Sequence, residues 1–161
     1  MFKIVRTYKE KMPPMRFIGL SYGDKDRNEF GLFSNKWDEW FKSGRFETLK
    51  KLEPLFEDYI GLKTKNRYWI GMFFPINTPV PQGFEYLDIP EGHIGVNWVY
   101  GSAQNDEIFG SEVYQASVKK LKEFNWIPAD TICFERYNCP RFTNPDDQGN
   151  VILDYCIYLK E

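Results

Sequence analysis

The sequence contains a weak internal repeat, and this repeat limits the fold more than any other feature does. Each half runs as a strand, an amphipathic helix and then paired strands, and the strand before each helix ends in a similar run, residues 18–23 (IGLSYG) and 94–101 (IGVNWVYG). Each half also closes on an aromatic-rich strand, 68–74 and 153–159. The pattern predicts a duplicated β-α-β-β unit. Two such halves joined edge to edge leave a cleft at their junction, which is a usual place for a ligand.

The spacing of apolar residues sets the expected elements. The expected strands are 2–8, 16–22, 59–63, 68–74, 84–89, 93–100, 132–137 and 151–159. The expected helices are 30–41, ended by Ser43-Gly44, a short piece at 46–55, and 106–124. The sequence thus predicts an α+β fold as a single domain over 1–161, with pseudo-repeats at about 1–75 and 84–161 and a proline-rich linker at about 75–83.

Composition and charge exclude several classes of function. The 161 residues include 21 basic and 23 acidic ones and carry a net charge of −2 without any block of Lys or Arg, so no nucleic-acid-binding surface is expected. No apolar run is long enough to span a bilayer, and the amino terminus lacks the apolar core of a signal peptide, so we expect a cytoplasmic protein. The three cysteines form no C-x-x-C pair, which predicts neither a metal site nor a disulfide framework, and no cofactor motif is present.

The strand at 132–137 carries the leading candidate for chemistry. Alternate side chains of a strand share a face, so we expect Phe134 to pack beneath the helices and Glu135 and Tyr137 to lie on the opposite face. On the partner strand the same reasoning assigns Leu153, Tyr155, Ile157 and Leu159 to the packed face, and Asp154, Cys156 and Tyr158 to the wall beside Glu135.

A carboxylate ringed by aromatic side chains is a sensible receptor for a lipophilic cation, because the charge and the ring faces both attract it. The alternative is a solvent-exposed Glu135 paired with a Lys or Arg of a neighbouring strand, which contributes little. The strand pattern by itself slightly favours this second interpretation.

The layout and its short motifs resemble the GyrI-like small-molecule-binding domain, a family that also supplies the effector-binding domains of multidrug-sensing transcription activators. The resemblance rests on the duplicated β-α-β-β order, the glycine-terminated strand before each helix, and the strands 134–137 (FERY) and 153–158 (LDYCIY). It implies one antiparallel sheet with helices on one face and a ligand cleft on the other. It also implies that Glu135 lies at the base of an aromatic pocket and meets cationic ligands.

Five further residues complete the expected pocket. The alternation of side chains along a strand adds Tyr137 and Tyr158. It also adds Trp69 and Phe73, provided that the residues that alternate with them on their strand pack in the core. The resemblance adds Trp37, which corresponds to a helix tryptophan that borders the cleft in members of the family. The sequence departs from the family pattern at Tyr158, where many members have proline, and in its longer loop at 138–150.

The sequence is compatible with three kinds of function. No helix-turn-helix segment accompanies the strand pattern, so the leading expectation is a stand-alone binding protein for amphipathic aromatic or cationic small molecules, in a sensing, sequestering or resistance role. Some family members resemble hydrolases of reactive cyclopropane-containing natural products. An enzyme of that kind would use Glu135 as general base and Tyr137 or Tyr158 as hydrogen-bond donor. The third kind is a module that engages a protein partner, as in gyrase-inhibiting members.

Overall fold

The computed structural model describes residues 1–104 and 107–161 and, within them, has eight strands in an antiparallel sheet and three α-helices. The strands are β1 (Lys3–Met12), β2 (Met15–Tyr22), β3 (Tyr59–Lys63), β4 (Tyr68–Pro75), β5 (Glu85–Ile89), β6 (Gly92–Ser102), β7 (Pro128–Tyr137) and β8 (Asn150–Leu159). The helices are α1 (Ser34–Ser43), α2 (Arg45–Lys50) and α3 (Ser111–Glu123). The predicted α+β class is confirmed.

The chain divides into two compact units, each with four strands. Unit one comprises Met1–Pro13 and Glu91–Glu161, and unit two comprises Pro14–Pro90. The strand order is β1-β6-β8-β7 in unit one and β3-β4-β2-β5 in unit two. The first strand of the chain therefore pairs with β6, from the second half of the sequence.

In unit one, helix α3 packs on one face of the strands, which we call the helix face. A close approach makes this packing possible, because a Cβ on Gly95 would lie only 2.5 Å from Cδ2 of Leu121 on α3. Next to it, buried Asn97 donates from Nδ2 to the carbonyl oxygen of Ser117 at 3.2 Å and accepts from Thr7 Oγ1 at 2.6 Å. The buried core of this face consists of Val99, Ile108, Val113, Leu121, Val151, Leu153, Tyr155, Ile157 and Leu159.

In unit two, an aromatic core joins α1 and α2 to the strands. Trp40 is fully buried, and its indole nitrogen donates to the Tyr22 hydroxyl at 2.9 Å. Ring-to-ring contact between Phe46 and Trp40, at 4.7 Å between centroids, extends this core to α2. As predicted, α1 ends at Ser43, and Gly44 at φ 79 turns the chain into α2.

Element boundaries differ from the predicted ones where side chains or prolines stop an element. Helix α1 begins at Ser34 rather than 30, because the Asn28 side-chain oxygen accepts the backbone N–H groups of Phe30 and Leu32 at 2.9 and 3.0 Å and holds a turn there. Strand β1 continues to Met12, where two prolines end it. Asp106, where the third predicted helix starts, lies outside the described residues.

None of the helices in the described part of the chain combines the length and the apolar character that a membrane span requires.

Gly71 provides a test of the packing in unit two. A Cβ on Gly71 would lie 2.2 Å from the carbonyl oxygen of Ile18, and backbone atoms cannot yield as a flexible side chain does. We predict that Gly71→Ala lowers the free energy of unfolding by at least about 1–3 kcal/mol, measured by urea denaturation. Gly92→Ala is the matched control, because its Cβ would make an ordinary contact of 3.5 Å with the Tyr158 ring. Equal stability of the two variants would contradict this packing.

Candidate functional site

The pairing of β7 with β8 contains a register shift that decides which way the candidate residues face. Pro128 pairs with Leu159, and Cys133 pairs with Ile157, so β7 advances five residues while β8 advances two. Asp130, with φ 58, lies in this irregular stretch. Because β7 gains an odd number of residues, the alternation of its side chains is reversed beyond the shift.

Beyond the shift, Glu135 pairs with Tyr155 and Phe134 pairs with Cys156. Tyr155 belongs to the core under α3, so Glu135 lies on the helix face. Phe134 lies on the opposite face, where its ring centroid is 6.3 Å from that of Tyr158. The expectation that Phe134 packs beneath the helices, and that Glu135 shares a wall with Asp154, Cys156 and Tyr158, is therefore wrong.

Glu135 is the centre of an aromatic group on the helix face, which we call the Glu135 cluster. Its members are Glu135, Tyr137, Tyr155, Tyr114, Cys133 and Phe142. The Glu135 side chain is only 3% exposed, and its Oε1 accepts a hydrogen bond of 3.0 Å from the Tyr137 hydroxyl. The Tyr155 ring lies 6.5 Å from that of Tyr114, and its hydroxyl lies 3.9 Å from the Cys133 sulfur.

The Tyr155 and Tyr114 phenols of the Glu135 cluster stay neutral. Burial raises the pKa of Tyr155 far above its usual range, and the nearby Cys133 and Glu135 side chains add to the shift. Burial likewise raises the pKa of Tyr114. The cluster therefore presents neutral phenol rings next to a buried carboxyl group, which is the combination that attracts an organic cation.

The opposite face of unit one carries a second buried carboxylate, within a group that we call the Asp154 network. Its members are Asp154, Arg136, Arg141, Glu10 and Trp98. Asp154 is fully buried and accepts hydrogen bonds from Arg136 Nε at 2.9 Å and from Arg141 Nε at 3.1 Å. Arg136 also donates to Glu10 at 3.3 Å. The Arg141 guanidinium lies 4.5 Å from the centre of the Trp98 ring.

The charge of Asp154 is balanced within the Asp154 network. The guanidinium groups of Arg136 and Arg141 both bind Asp154 directly. Burial lowers the pKa of Arg136, but its acidic neighbours outweigh this effect and raise the pKa above its ordinary value. Such a network holds strands together but leaves no charge for a ligand. Glu135, on the other face, accepts a hydrogen bond from the Tyr137 hydroxyl.

Tyr158, the third predicted pocket residue of unit one, lies on the face opposite to Glu135. Its pairing with Ile94 and its contact with Phe134 place it there. The hydroxyl is buried and, among the described residues, makes no hydrogen bond, and the same is true of the Trp98 indole nitrogen. Burial raises the pKa of Tyr158, so its hydroxyl remains a donor.

The three predicted residues of unit two fall on two faces. Trp37 lies with α1 against the core of unit two, and its indole nitrogen donates to the Tyr68 hydroxyl at 2.9 Å. Trp69 and Phe73 lie on the other face, where each ring meets Phe17 edge-on at 6.0 and 5.7 Å. The condition set by the sequence is met, because Ile70, Met72 and Phe74 do pack in the helix-bearing core of this unit.

Sequence reasoning missed the Asp154 network and the role of the loop at 138–150. The signal was present, since Arg136 and Asp154 are oppositely charged residues of neighbouring strands, but their pairing depends on the register of β7. Arg141 lies in a loop, and no periodic pattern predicts where a loop side chain reaches.

The described residues contain no group of three or more His, Cys, Asp or Glu side chains that could hold a metal ion. All three cysteines are free thiols. Cys133 and Cys156 lie on opposite faces of the β7–β8 pair, because Cys133 pairs with Ile157 and Cys156 pairs with Phe134. A disulfide between them would require a different register.

Comparisons with known proteins give a fold and no family. The sequence matches no protein-family model and no curated protein. Three solved structures share the fold at 10–11% identity. SAV2435, solved bound to tetraphenylphosphonium, has a TM-score of 0.68 over 97% of this chain and 94% of that one. The EcmrR C-terminal domain has a TM-score of 0.59 over 97% and 98%. The integron cassette protein VCH_CASS2 from the mobile metagenome of Vibrio cholerae has a TM-score of 0.57 over 99% of both chains.

Removing the Asp154 charge tests the Asp154 network. We predict that Asp154→Asn lowers the free energy of unfolding by about 3–5 kcal/mol, because it leaves the Arg136 guanidinium buried without its carboxylate. The matched control is Asp88→Asn, because Asp88 pairs with Arg16 Nε at 2.8 Å, close to the 2.9 Å of the Arg136–Asp154 pair, but lies at the surface. This control substitution should lower the free energy of unfolding by only about 0–1 kcal/mol. Losses of the same size, measured by urea denaturation, would show that Asp154 acts as an ordinary surface charge.

Proposed function

We propose that this chain is a small-molecule-binding protein of the GyrI-like kind, whose site is centred on Glu135 and accepts amphipathic aromatic cations. The observation that carries the proposal is the Glu135 cluster. Glu135 is 3% exposed, and its carboxylate accepts a hydrogen bond from Tyr137 among aromatic side chains.

The physical argument is one of complementarity. A carboxylate and the faces of aromatic rings both attract a cation. A lipophilic cation also buries its own apolar surface against such rings. Each cation–π contact with a tyrosine ring adds on the order of 0.5–2 kcal/mol when water is excluded. The cluster offers such rings at positions 114, 137 and 155.

The comparisons support this choice of ligand class and supply a probe. SAV2435, which has the same fold, was solved with tetraphenylphosphonium, a large aromatic cation. EcmrR, whose C-terminal domain also has this fold, was solved in a complex with DNA. For this chain we propose a sensing, sequestering or resistance role that acts through ligand binding, with no direct binding of nucleic acid.

The hydrolase alternative requires Glu135 to take a proton from water. In the structure one Glu135 oxygen already accepts the Tyr137 hydrogen bond, so Tyr137 faces the carboxylate rather than a substrate. Tyr158, the other proposed donor, lies on the opposite face. These contacts favour binding over catalysis.

Binding of tetraphenylphosphonium by wild type and Glu135→Gln tests the proposal. The substitution keeps the size of the side chain and an acceptor for Tyr137, but it removes the charge. We expect wild type to bind the cation and the variant to lose affinity by at least about tenfold, or ~1.4 kcal/mol, in isothermal titration calorimetry. Neutral triphenylphosphine oxide should bind the two proteins equally.

Glu112→Gln is the matched control, because this glutamate is exposed in the first turn of α3. It should bind the cation as wild type does. Equal affinity of wild type and Glu135→Gln for tetraphenylphosphonium would contradict the proposed role of Glu135. Consumption of an electrophilic compound by wild type, abolished in Glu135→Gln, would replace binding with hydrolysis.

A further inference from the structure

The loop that joins β7 to β8, residues 138–150, sends neighbouring side chains to opposite faces of unit one. Arg141 reaches Asp154, which lies on the face opposite to α3. The next residue, Phe142, packs against the helix-face core. The loop thus crosses the end of the β7–β8 pair and touches both the Glu135 cluster and the Asp154 network.

Phe142 lies next to the residue that binds Glu135. Its ring meets Tyr137 edge-on, with 4.8 Å between centroids and an interplanar angle of 81°. It also contacts Phe109, with 6.4 Å between centroids. Since the Tyr137 hydroxyl donates to Glu135, Phe142 covers the tyrosine that the proposed ligand would meet.

Arg141 fastens the loop on the other side. Its Nε and Nη2 donate to the two oxygens of Asp154 at 3.1 and 2.5 Å, and its guanidinium stacks over Trp98. Asp154 is fully buried, whereas the Arg141 side chain is 26% exposed. A two-pronged ion pair of this kind is among the stronger contacts a single loop side chain can make.

Backbone groups of the loop make further contacts, among them the hydrogen bond of 3.0 Å from the Ile152 N–H of β8 to the Arg141 carbonyl oxygen. Within the loop, backbone N–H groups of Phe142 and Asn144 donate to the carbonyls of Asn138 and Pro140 at 2.8 and 2.9 Å. Tyr100 of β6 donates to Asp146 at the exposed end of the loop. Among these contacts, the Arg141 side chain ties the loop next to Phe142 to a fully buried carboxylate.

We propose that the loop at 138–150 is a lid over the Glu135 cluster and that the Arg141–Asp154 ion pair is its latch. Opening the lid moves Phe142 off Tyr137 and requires Arg141 to leave Asp154 and Trp98. The lid controls how fast a ligand reaches Glu135. This control of entry rests on the proposed function, whereas the latch itself is a property of the ligand-free protein.

Hydrogen exchange of the ligand-free protein tests the latch. Arg141→Gln removes the ion pair and leaves Arg136 to pair with Asp154. We expect the amides of Phe142 and Asn144 to exchange at least about tenfold faster in this variant, with β4 amides unchanged as a control for global stability. Arg67→Gln removes a surface arginine of unit two that is hydrogen-bonded to Ser21, and it should leave the exchange rates of Phe142 and Asn144 unchanged. Unchanged exchange of Phe142 and Asn144 in Arg141→Gln would overturn the latch.

Stopped-flow binding of tetraphenylphosphonium tests the lid. Both Arg141→Gln and Phe142→Ala should raise the association rate constant by roughly tenfold, since the first frees the lid and the second removes its cover without touching Asp154. Faster exchange with an unchanged association rate in both variants would overturn the lid. If Arg141→Gln exchanges faster but neither the wild type nor the variants bind the cation, the latch stands and the proposed function is rejected.

Discussion

The register of β7 against β8 is the constraint on which unit one depends. The shift between the Pro128 and Cys133 pairings places Glu135, not Phe134, on the face that carries α3. The same register brings Arg136 opposite Asp154, so a buried ion pair holds the pairing that the shift creates. A slip of one residue would exchange the two faces, bury Arg136 under α3 and separate it from Asp154. The ion pair thus contributes specificity of register beyond any contribution to stability.

Two buried carboxylates, one on each face of the same strand pair, have different partners and hence different uses. Asp154 is bonded by two guanidinium groups and forms a structural link between β8, β7 and the loop at 138–150. Glu135 is bonded by the Tyr137 phenol and lies among rings that burial keeps neutral. Under the proposed function a ligand cation meets Glu135, whereas the charge of Asp154 is balanced by Arg136 and Arg141. The loop connects the two, because Arg141 and Phe142 are adjacent in sequence.

Much of the fold was predictable from the sequence, and part of the candidate site was not. Apolar spacing located all eight strands and the helix that ends at Gly44, since periodicity is a local property. It also placed Trp69 and Phe73 on the face away from the unit-two core. It failed to predict which faces Phe134 and Glu135 occupy. The alternation of side chains within a strand does not reveal an irregularity that adds an odd number of residues to that strand, as in β7 between Pro128 and Cys133. Arg141 was invisible for a related reason, since its partner is thirteen residues away across a loop.

The most direct test of the central claim is an NMR measurement of which tyrosine rings contact bound tetraphenylphosphonium. Intermolecular nuclear Overhauser effects would be recorded on protein with labelled tyrosine rings, each assigned by single Tyr→Phe substitution. A site on the helix face predicts contacts from the phenyl protons to Tyr137 and Tyr155 and none to Tyr158. Contacts to Tyr158 without any to Tyr137 or Tyr155 would contradict it and would place the ligand on the opposite face.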